Sequence, residues 1–362
     1  MISKKVNELL SQPGIPVVSL FSGCGGLDLG FFQAGFRPVL AVDVDPAACI
    51  TYEANHPHGR VLKKNLSDLS SGYICQRLEE LPAPVRPVGV IGGPPCQAFS
   101  LGNVHKNGDD PRARLPEWYA KVLKELNTSF GLDFFVFENV RGLKHKMHAE
   151  IFTRFKQLFA AAGFHIVEGE LDAQDFGVAQ VRKRVFVVGW NNKKYGKDFT
   201  FRFPKGQAVP RTVRDVIGDL PEPALFNRAL KMANIPVHPN HWAMMPRSKR
   251  FFDGSLRNGS AKGRPFRVLD WDKPSWTVAY GHREVHIHPD GKRRLSVYEA
   301  MLVQGFPADY RLHGTLSDQL RLVSDAVPPP MAKALGEAVM KALLNEKKKN
   351  SISSGRPNTT HA

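Results

Sequence analysis

Short apolar runs, each closed by a glycine-rich or polar turn and followed by a stretch of helical periodicity, fill the first half of the chain. Val17-Val18-Ser19-Leu20-Phe21 reads as a buried strand, Ser22-Gly23-Cys24-Gly25-Gly26 as a turn, and Leu27, Leu29, Phe31 and Phe32 as the apolar positions of a helix. A second strand, Val39-Leu40-Ala41-Val42-Asp43, ends in an acid twenty residues after Gly23. Asp45 and Pro46 then predict a capped helix start running through Tyr52 and Ala54. Val61-Leu62 predicts a short third strand, Tyr73 to Leu81 a helix, and Val88-Gly89-Val90-Ile91 a fourth strand broken by Gly92-Gly93-Pro94-Pro95. Strand, turn and helix in this alternation predict an α/β fold with a doubly wound, mostly parallel, Rossmann-like sheet.

Further along, a helix is expected from Leu115 to about Asn127, and a strand over Asp133 to Phe137 that ends in Glu138-Asn139-Val140. A helix from Met147 to Ala162 closes at Gly163, and a strand follows over Phe164 to Leu171. Gln180-Val181-Arg182-Lys183-Arg184 leads into the apolar Val185-Phe186-Val187-Val188. The two arginines at period two share one side of a strand, which taken alone suits an exposed edge. From about Asn191 prolines and basic residues become frequent and the periodicity weakens. Residues 191–295 therefore predict a second, smaller, irregular domain, and residues 1–190 the larger one. Residues 296–345, which end in an amphipathic helix from Met331 to Leu344, are expected to return and complete the larger domain. The basic tail, 346–362, is expected to be disordered.

Charge changes this picture. The 362 residues carry a formal net charge of +16, which suits a polyanion as partner, and nucleic acid is the commonest polyanion. Arg247, Lys249, Arg250, Arg257 and Arg264, with His238 and His241, put much of this charge in the irregular region. The four cysteines, Cys24, Cys49, Cys75 and Cys96, have neither zinc-site spacing nor a disulfide pattern. Together with the absence of a signal peptide or an apolar run of membrane-spanning length, they predict a soluble, cytoplasmic protein without a metal, membrane contact or disulfide.

Candidate chemistry gathers where this fold puts the carboxyl ends of its strands. Cys96 follows a strand, with Pro94 and Pro95 restricting its approach. Glu138 and Asn139 end another strand. The first glycine turn lacks a third glycine at position 28, where Asp28 stands. That disfavours a dinucleotide and favours a cofactor without a diphosphate. Asp43 is placed to hydrogen-bond two ribose hydroxyls, while Asp45 reads as a helix cap. The long connection from Gln97 to Arg114 has the length of a functional lid.

At these residues the chain resembles the DNA (cytosine-5)-methyltransferases over nearly its whole length. The likeness runs in order through Phe21-Ser22-Gly23-Cys24-Gly25-Gly26, Pro94-Pro95-Cys96-Gln97, Glu138-Asn139-Val140 and Gln180-Val181-Arg182-Lys183-Arg184. It continues through Arg294-Leu295-Ser296-Val297, Gln304-Gly305-Phe306-Pro307 and Ala326-Val327-Pro328-Pro329. The resemblance implies S-adenosyl-L-methionine as cofactor, bound by Phe21, Gly23, Gly25, Asp43, Asn65 and Leu115. It implies Cys96 as nucleophile, Glu138 against the cytosine ring, Arg182 and Arg184 as anchors, and Asn139 supporting Pro94-Pro95. Double-stranded DNA is the implied partner, contacted by Ser100, Arg112 and the basic residues named above, by a monomer with a cognate restriction endonuclease as a further candidate partner. Four residues depart from the family pattern: Ser19, Asn65, Ser324 and Asp325. An RNA methyltransferase of the same superfamily, a non-catalytic DNA-binding module and a dinucleotide enzyme are the competing readings.

Overall fold

The computed structural model describes residues 14–81, 85–95, 114–196, 199–206, 209–227, 229–260, 266–277 and 286–354. Its centre is a seven-stranded sheet. The chain runs β1 (Ile15–Leu20), α1 (Gly26–Gln33), β2 (Phe36–Asp43), α2 (Pro46–Asn55), β3 (Arg60–Lys63), α3 (Tyr73–Glu79) and β4 (Gly89–Gly92). It continues as α4 (Leu115–Phe130), β5 (Phe134–Val140), α5 (Ala149–Ala161), β6 (Phe164–Asp172), β7 (Lys183–Asn191) and the short α6 (Asn192–Tyr195). The remainder comprises α7 (Arg214–Ile217), β8 (Ala224–Leu225), β9 (Trp242–Ala243), α8 (Val297–Val303), α9 (Leu316–Asp325) and α10 (Pro329–Ser354).

The order across the sheet is β3-β2-β1-β4-β5-β7-β6. The first five strands in this order run parallel to one another, and β7 is antiparallel to both β5 and β6. The strand order reverses between β1 and β4, where Leu20 lies beside Gly92. The turns that leave β1 and β4 thus flank the crevice where such sheets bind ligands. Because β7 runs the other way, it begins at the edge where β5 ends, and Arg184 pairs with Val140.

Both faces are covered, so the central strands are continuously apolar. On one face Leu78, Tyr119, Leu123, Phe155 and Phe159 of α3, α4 and α5 pack on Leu20, Phe135 and Val187. On the other, Leu27 and Phe31 of α1 and Met331, Leu335 and Val339 of α10 pack on Val17, Val136 and Phe186. The return of α10 onto α1 brings Ala332 against Gly30, where a side chain would overlap it.

Strand β5 runs through Glu138-Asn139-Val140, as the sequence led one to expect, and these three residues pair with Phe186, Val185 and Arg184 of β7. Met301, Leu320 and Val323 share a core with Val213, Ile217 and Trp242 and also with Cys24 and Ala48 of the first half of the chain. Helix α10 extends to Ser354. No proline interrupts the chain between Pro330 and Ser354, and a docked helix propagates readily through Lys and Glu.

Candidate active site

Glu138 sits on β5 at 8% exposure. Its Oε1 is 3.0 Å from Arg184 Nε. Burial raises its pKa, opposed by the nearby guanidinium groups of Arg184 and Arg182. The carboxylate lies against Gly93, where a Cβ would come 2.5 Å from Oε2. The chain leaving β4 therefore passes directly over the acid because residue 93 has no side chain. Asn139, fully buried, donates from Nδ2 to the Pro94 carbonyl at 3.3 Å, and its Oδ1 accepts from Val140 N–H. The segment that delivers Cys96 is thus held at both Gly93 and Pro94. Cys96, Ser100 and Arg112 lie outside the described residues, as does most of the stretch from Gln97 to Arg114.

Arg182 and Arg184 are buried, not on an exposed edge. The reason is the antiparallel entry of β7, which turns both toward the ends of β5 and α9. Arg182 donates from Nη2 to the Ser324 carbonyl at 2.5 Å, and its backbone N–H donates to Asp172 Oδ1 at 3.0 Å. Asp172, at the end of β6, is a support that sequence reading did not single out. Its visible signal was an acid entering the Ala173–Phe176 turn that it caps.

The turn after β1 departs from ordinary backbone geometry. Phe21 has φ 55°, Gly23 φ 55° and Gly25 φ 86°. Gly23 N–H donates to Asp43 Oδ2 at 2.8 Å, and Asp45 N–H donates to Asp43 Oδ1 at 2.9 Å. Asp43 therefore orders the turn and keeps further acceptor sites on each oxygen. Its pKa is raised, chiefly by burial. Asp45 caps α2 through the N–H groups of Ala47 and Ala48 and pairs with Arg321, as its expected helix-cap role requires. A Cβ at Gly23 would meet nothing within 4 Å, and the buried Ser22 hydroxyl has no partner among the described residues. Open space, an orphaned hydroxyl and a two-oxygen acceptor fit a polar ligand carrying a diol.

Asn65 is the weaker cofactor candidate. Its Oδ1 accepts from Ser67 N–H at 3.3 Å, and it caps the single turn Leu66–Asp68. Leu115 is the first residue of α4 and half-buried. Asp325, at the end of α9, keeps exposed surface although protein packs around its carboxyl group. Its pKa is raised by burial, with Arg182, Arg321 and Arg184 acting in the opposite direction. Cys24 and Cys49 have thiol pKa values pushed up to about 12, chiefly by burial, which makes both poor nucleophiles.

In the irregular region Arg247, Lys249, Arg250 and Arg257 are exposed, and Arg264 lies outside the described residues. Arg250 stacks on Phe266 at 4.5 Å. The histidines of this stretch are a correction. His238 and His241 are buried at 5% and 1% exposure. His238 stacks on Tyr298, and His241 hydrogen-bonds Ser296 and the Pro221 carbonyl. They build the core of the region and are not part of its charged surface.

Comparison with known proteins places the chain in a family. The description C-5 cytosine-specific DNA methylase matches residues 15–341. The chain belongs to this family. It is 35% identical over 351 residues to the Type II methyltransferase M.MthTI of Methanothermobacter thermautotrophicus, covering 90% of this chain and 97% of the relative. It is 32% identical over 355 residues to the Type II methyltransferase M.FnuDI of Fusobacterium nucleatum, covering 92% and 96%. Among solved structures, a prophage-encoded DNA modification methyltransferase of E. coli superposes with TM-score 0.75 at 24% identity, over 91% of this chain and all of that one. The Entamoeba histolytica methyltransferase EhMeth superposes with TM-score 0.62 at 17% identity, over 92% and 99%. Both support the fold. The protein is a DNA (cytosine-5)-methyltransferase. The RNA-methyltransferase, non-catalytic and dinucleotide readings fall away. Among the described residues no helix is long and apolar enough to cross a membrane, and no group of three His, Cys, Asp or Glu is arranged to hold a metal.

Proposed function

We propose that the protein methylates carbon 5 of a cytosine flipped out of duplex DNA, through a covalent bond to Cys96. The observation that carries this reading is the burial of Glu138 against Gly93, two residues before Pro95 and beside Arg184. It puts an acid and a guanidinium where the segment leading to the thiol begins. Asn139 holds the Pro94 carbonyl, and the two prolines restrict the backbone that leads toward residue 96.

Cys96 would add as thiolate to carbon 6 of the ring. Glu138, with its raised proton affinity, would donate a hydrogen bond to ring nitrogen 3 and protonate it as electron density moves into the ring. Carbon 5 then becomes the nucleophile. Bound S-adenosylmethionine supplies an electrophilic methyl group on a sulfonium. Asp43 would hold the ribose hydroxyls, and the turn Phe21–Gly25 would seat the remainder. Arg182 and Arg184 would orient the ring oxygen and keep Glu138 in place. A base removes the carbon 5 proton and the thiolate leaves. The chemistry needs an unstacked base, at a cost of roughly a few kcal/mol. The exposed cations of the recognition region would offset this through phosphate contacts.

Bisulfite sequencing of DNA from cells expressing the protein tests the function. The expected result is 5-methylcytosine at one short recurrent sequence. Unmodified DNA in cells with abundant folded protein would reject the reading.

A further inference from the structure

The cofactor turn is held by residues far away in sequence. Tyr310 is buried and donates its hydroxyl proton to the Cys24 carbonyl, 286 positions earlier in the chain. The same hydroxyl lies 3.0 Å from His56 Nε2, which comes from the end of α2. With its one proton committed to the carbonyl, the hydroxyl can only accept from His56, so Nε2 carries the imidazole hydrogen. Burial lowers the His56 pKa to about 3, which keeps the ring neutral. His56 reaches this place because residue 25 is glycine. A Cβ there would overlap the imidazole, and the backbone φ of 86° is one that L-residues avoid.

Tyr310 is itself fixed by its neighbours. Asn55 pairs with both backbone groups of Arg311, accepting at 3.0 Å and donating at 2.7 Å. Asn240, from the irregular region, does the same to Leu312, accepting at 2.9 Å and donating at 2.8 Å. His313 N–H donates to Thr51 at 2.9 Å. Residues 310–313 thus form a strap clamped between α2 and Asn240 of the irregular region. A tyrosine needed only for packing would not require its hydroxyl to meet a turn carbonyl and a buried imidazole together. The turn also needs restraint, since Phe21 holds a left-handed backbone conformation that its side chain disfavours.

We propose that Tyr310, backed by His56, is a positioning residue that sets the shape of the turn Phe21–Gly25 and so the affinity for the methyl donor. This rests on the reading of that turn as the cofactor site. A turn that is already shaped binds without the cost of being ordered, and removing the restraint returns that cost to the binding step.

Tyr310→Phe removes only the hydroxyl. The control is Tyr119→Phe, whose equally buried hydroxyl donates to the Val136 carbonyl at 2.9 Å in the sheet core. Calorimetry with S-adenosylmethionine on the full-length protein should show Kd raised about 5- to 20-fold by Tyr310→Phe, the size of one hydrogen bond. KM for the donor should rise with it, while kcat at saturation and the affinity for DNA stay within about twofold of wild type. Tyr119→Phe should lose thermal stability and keep its Kd. His56→Asn should raise Kd in the same direction, and the double variant should be no worse than Tyr310→Phe alone. Wild-type affinity in Tyr310→Phe, or an equal loss in Tyr119→Phe, overturns the positioning role. Failure of the wild-type protein to bind S-adenosylmethionine overturns the cofactor reading, and this proposal with it.

Discussion

Glu138 is a carboxyl group whose surroundings pull its proton affinity in opposite directions. Burial favours the neutral acid, and the guanidinium groups of Arg184 and Arg182 favour the anion. The balance is a raised pKa, which suits a group that must give a proton to a ring nitrogen and take it back. Glu138→Gln keeps the shape and a hydrogen-bond donor but cannot release a proton. Methylation should fall by roughly 10²–10⁴-fold, the usual contribution of a positioned acid, with DNA and donor affinities nearly unchanged. In the wild type the single-turnover rate should decline as pH rises through the raised pKa, since the protonated form is the active one. A Gln variant with near-normal turnover, measured by tritiated-methyl incorporation, would remove Glu138 from the proton transfer. At this scale the acid itself was legible in the sequence, as a carboxylate at a strand's carboxyl end. The burial of Arg182 and Arg184 was not, because it depends on β7 entering the sheet antiparallel, and two arginines at period two look the same on an exposed edge.

Among the elements, α1 carries an unusual group in its first turn. Asp28 is fully buried, and Oδ1 accepts from the Tyr52 hydroxyl at 2.9 Å. Burial raises its pKa from 3.8 to about 6. A carboxyl with a folded pKa above its unfolded value contributes fully below the unfolded pKa and loses that contribution as pH rises toward the folded one. Stability from this group is therefore lost between about pH 4 and pH 6, by about 3 kcal/mol at most. Asp28→Asn keeps an acceptor for Tyr52 and removes the buried charge. Urea unfolding should show the variant gaining on wild type at pH 8, with the two converging near pH 4. Other titrating groups, His56 among them, are common to both proteins and cancel. A difference independent of pH would show that Asp28 does not titrate in this range. The strands and helices around Asp28 were legible because apolar runs and turn residues specify them locally. Position 28 was legible only as a missing glycine. Its burial arises from α10 and α2 closing over α1, and no local pattern encodes that.

Across the whole molecule, a net charge of +16 suits a polyanion as partner, and the irregular region presents Arg247, Lys249, Arg250 and Arg257 to solvent. The sequence marked these cations and also His238 and His241, but it could not separate exposed basic residues from buried ring stacking. Alanine variants of the four cations should fall into two groups. Loss of a phosphate contact should weaken binding to every sequence and reduce the slope of log K against log salt by about 0.9. Loss of a base contact should cost about 1–3 kcal/mol at one position of the site and leave the others intact. If all four keep the wild-type slope and the wild-type methylated site, the region that reads DNA lies elsewhere. The covalent complex requires every part at once: a bound duplex, an extruded cytosine, a seated donor and a thiolate. Incubating the protein with S-adenosylmethionine and a duplex carrying 5-fluorocytosine at the methylated position tests it most directly, because fluorine on carbon 5 cannot leave as a proton. Denaturing electrophoresis and intact mass should show a stable protein–DNA adduct for the wild type and none for Cys96→Ala. An adduct that survives in Cys96→Ala, or a wild-type protein that methylates cytosine yet never forms one, would contradict the mechanism.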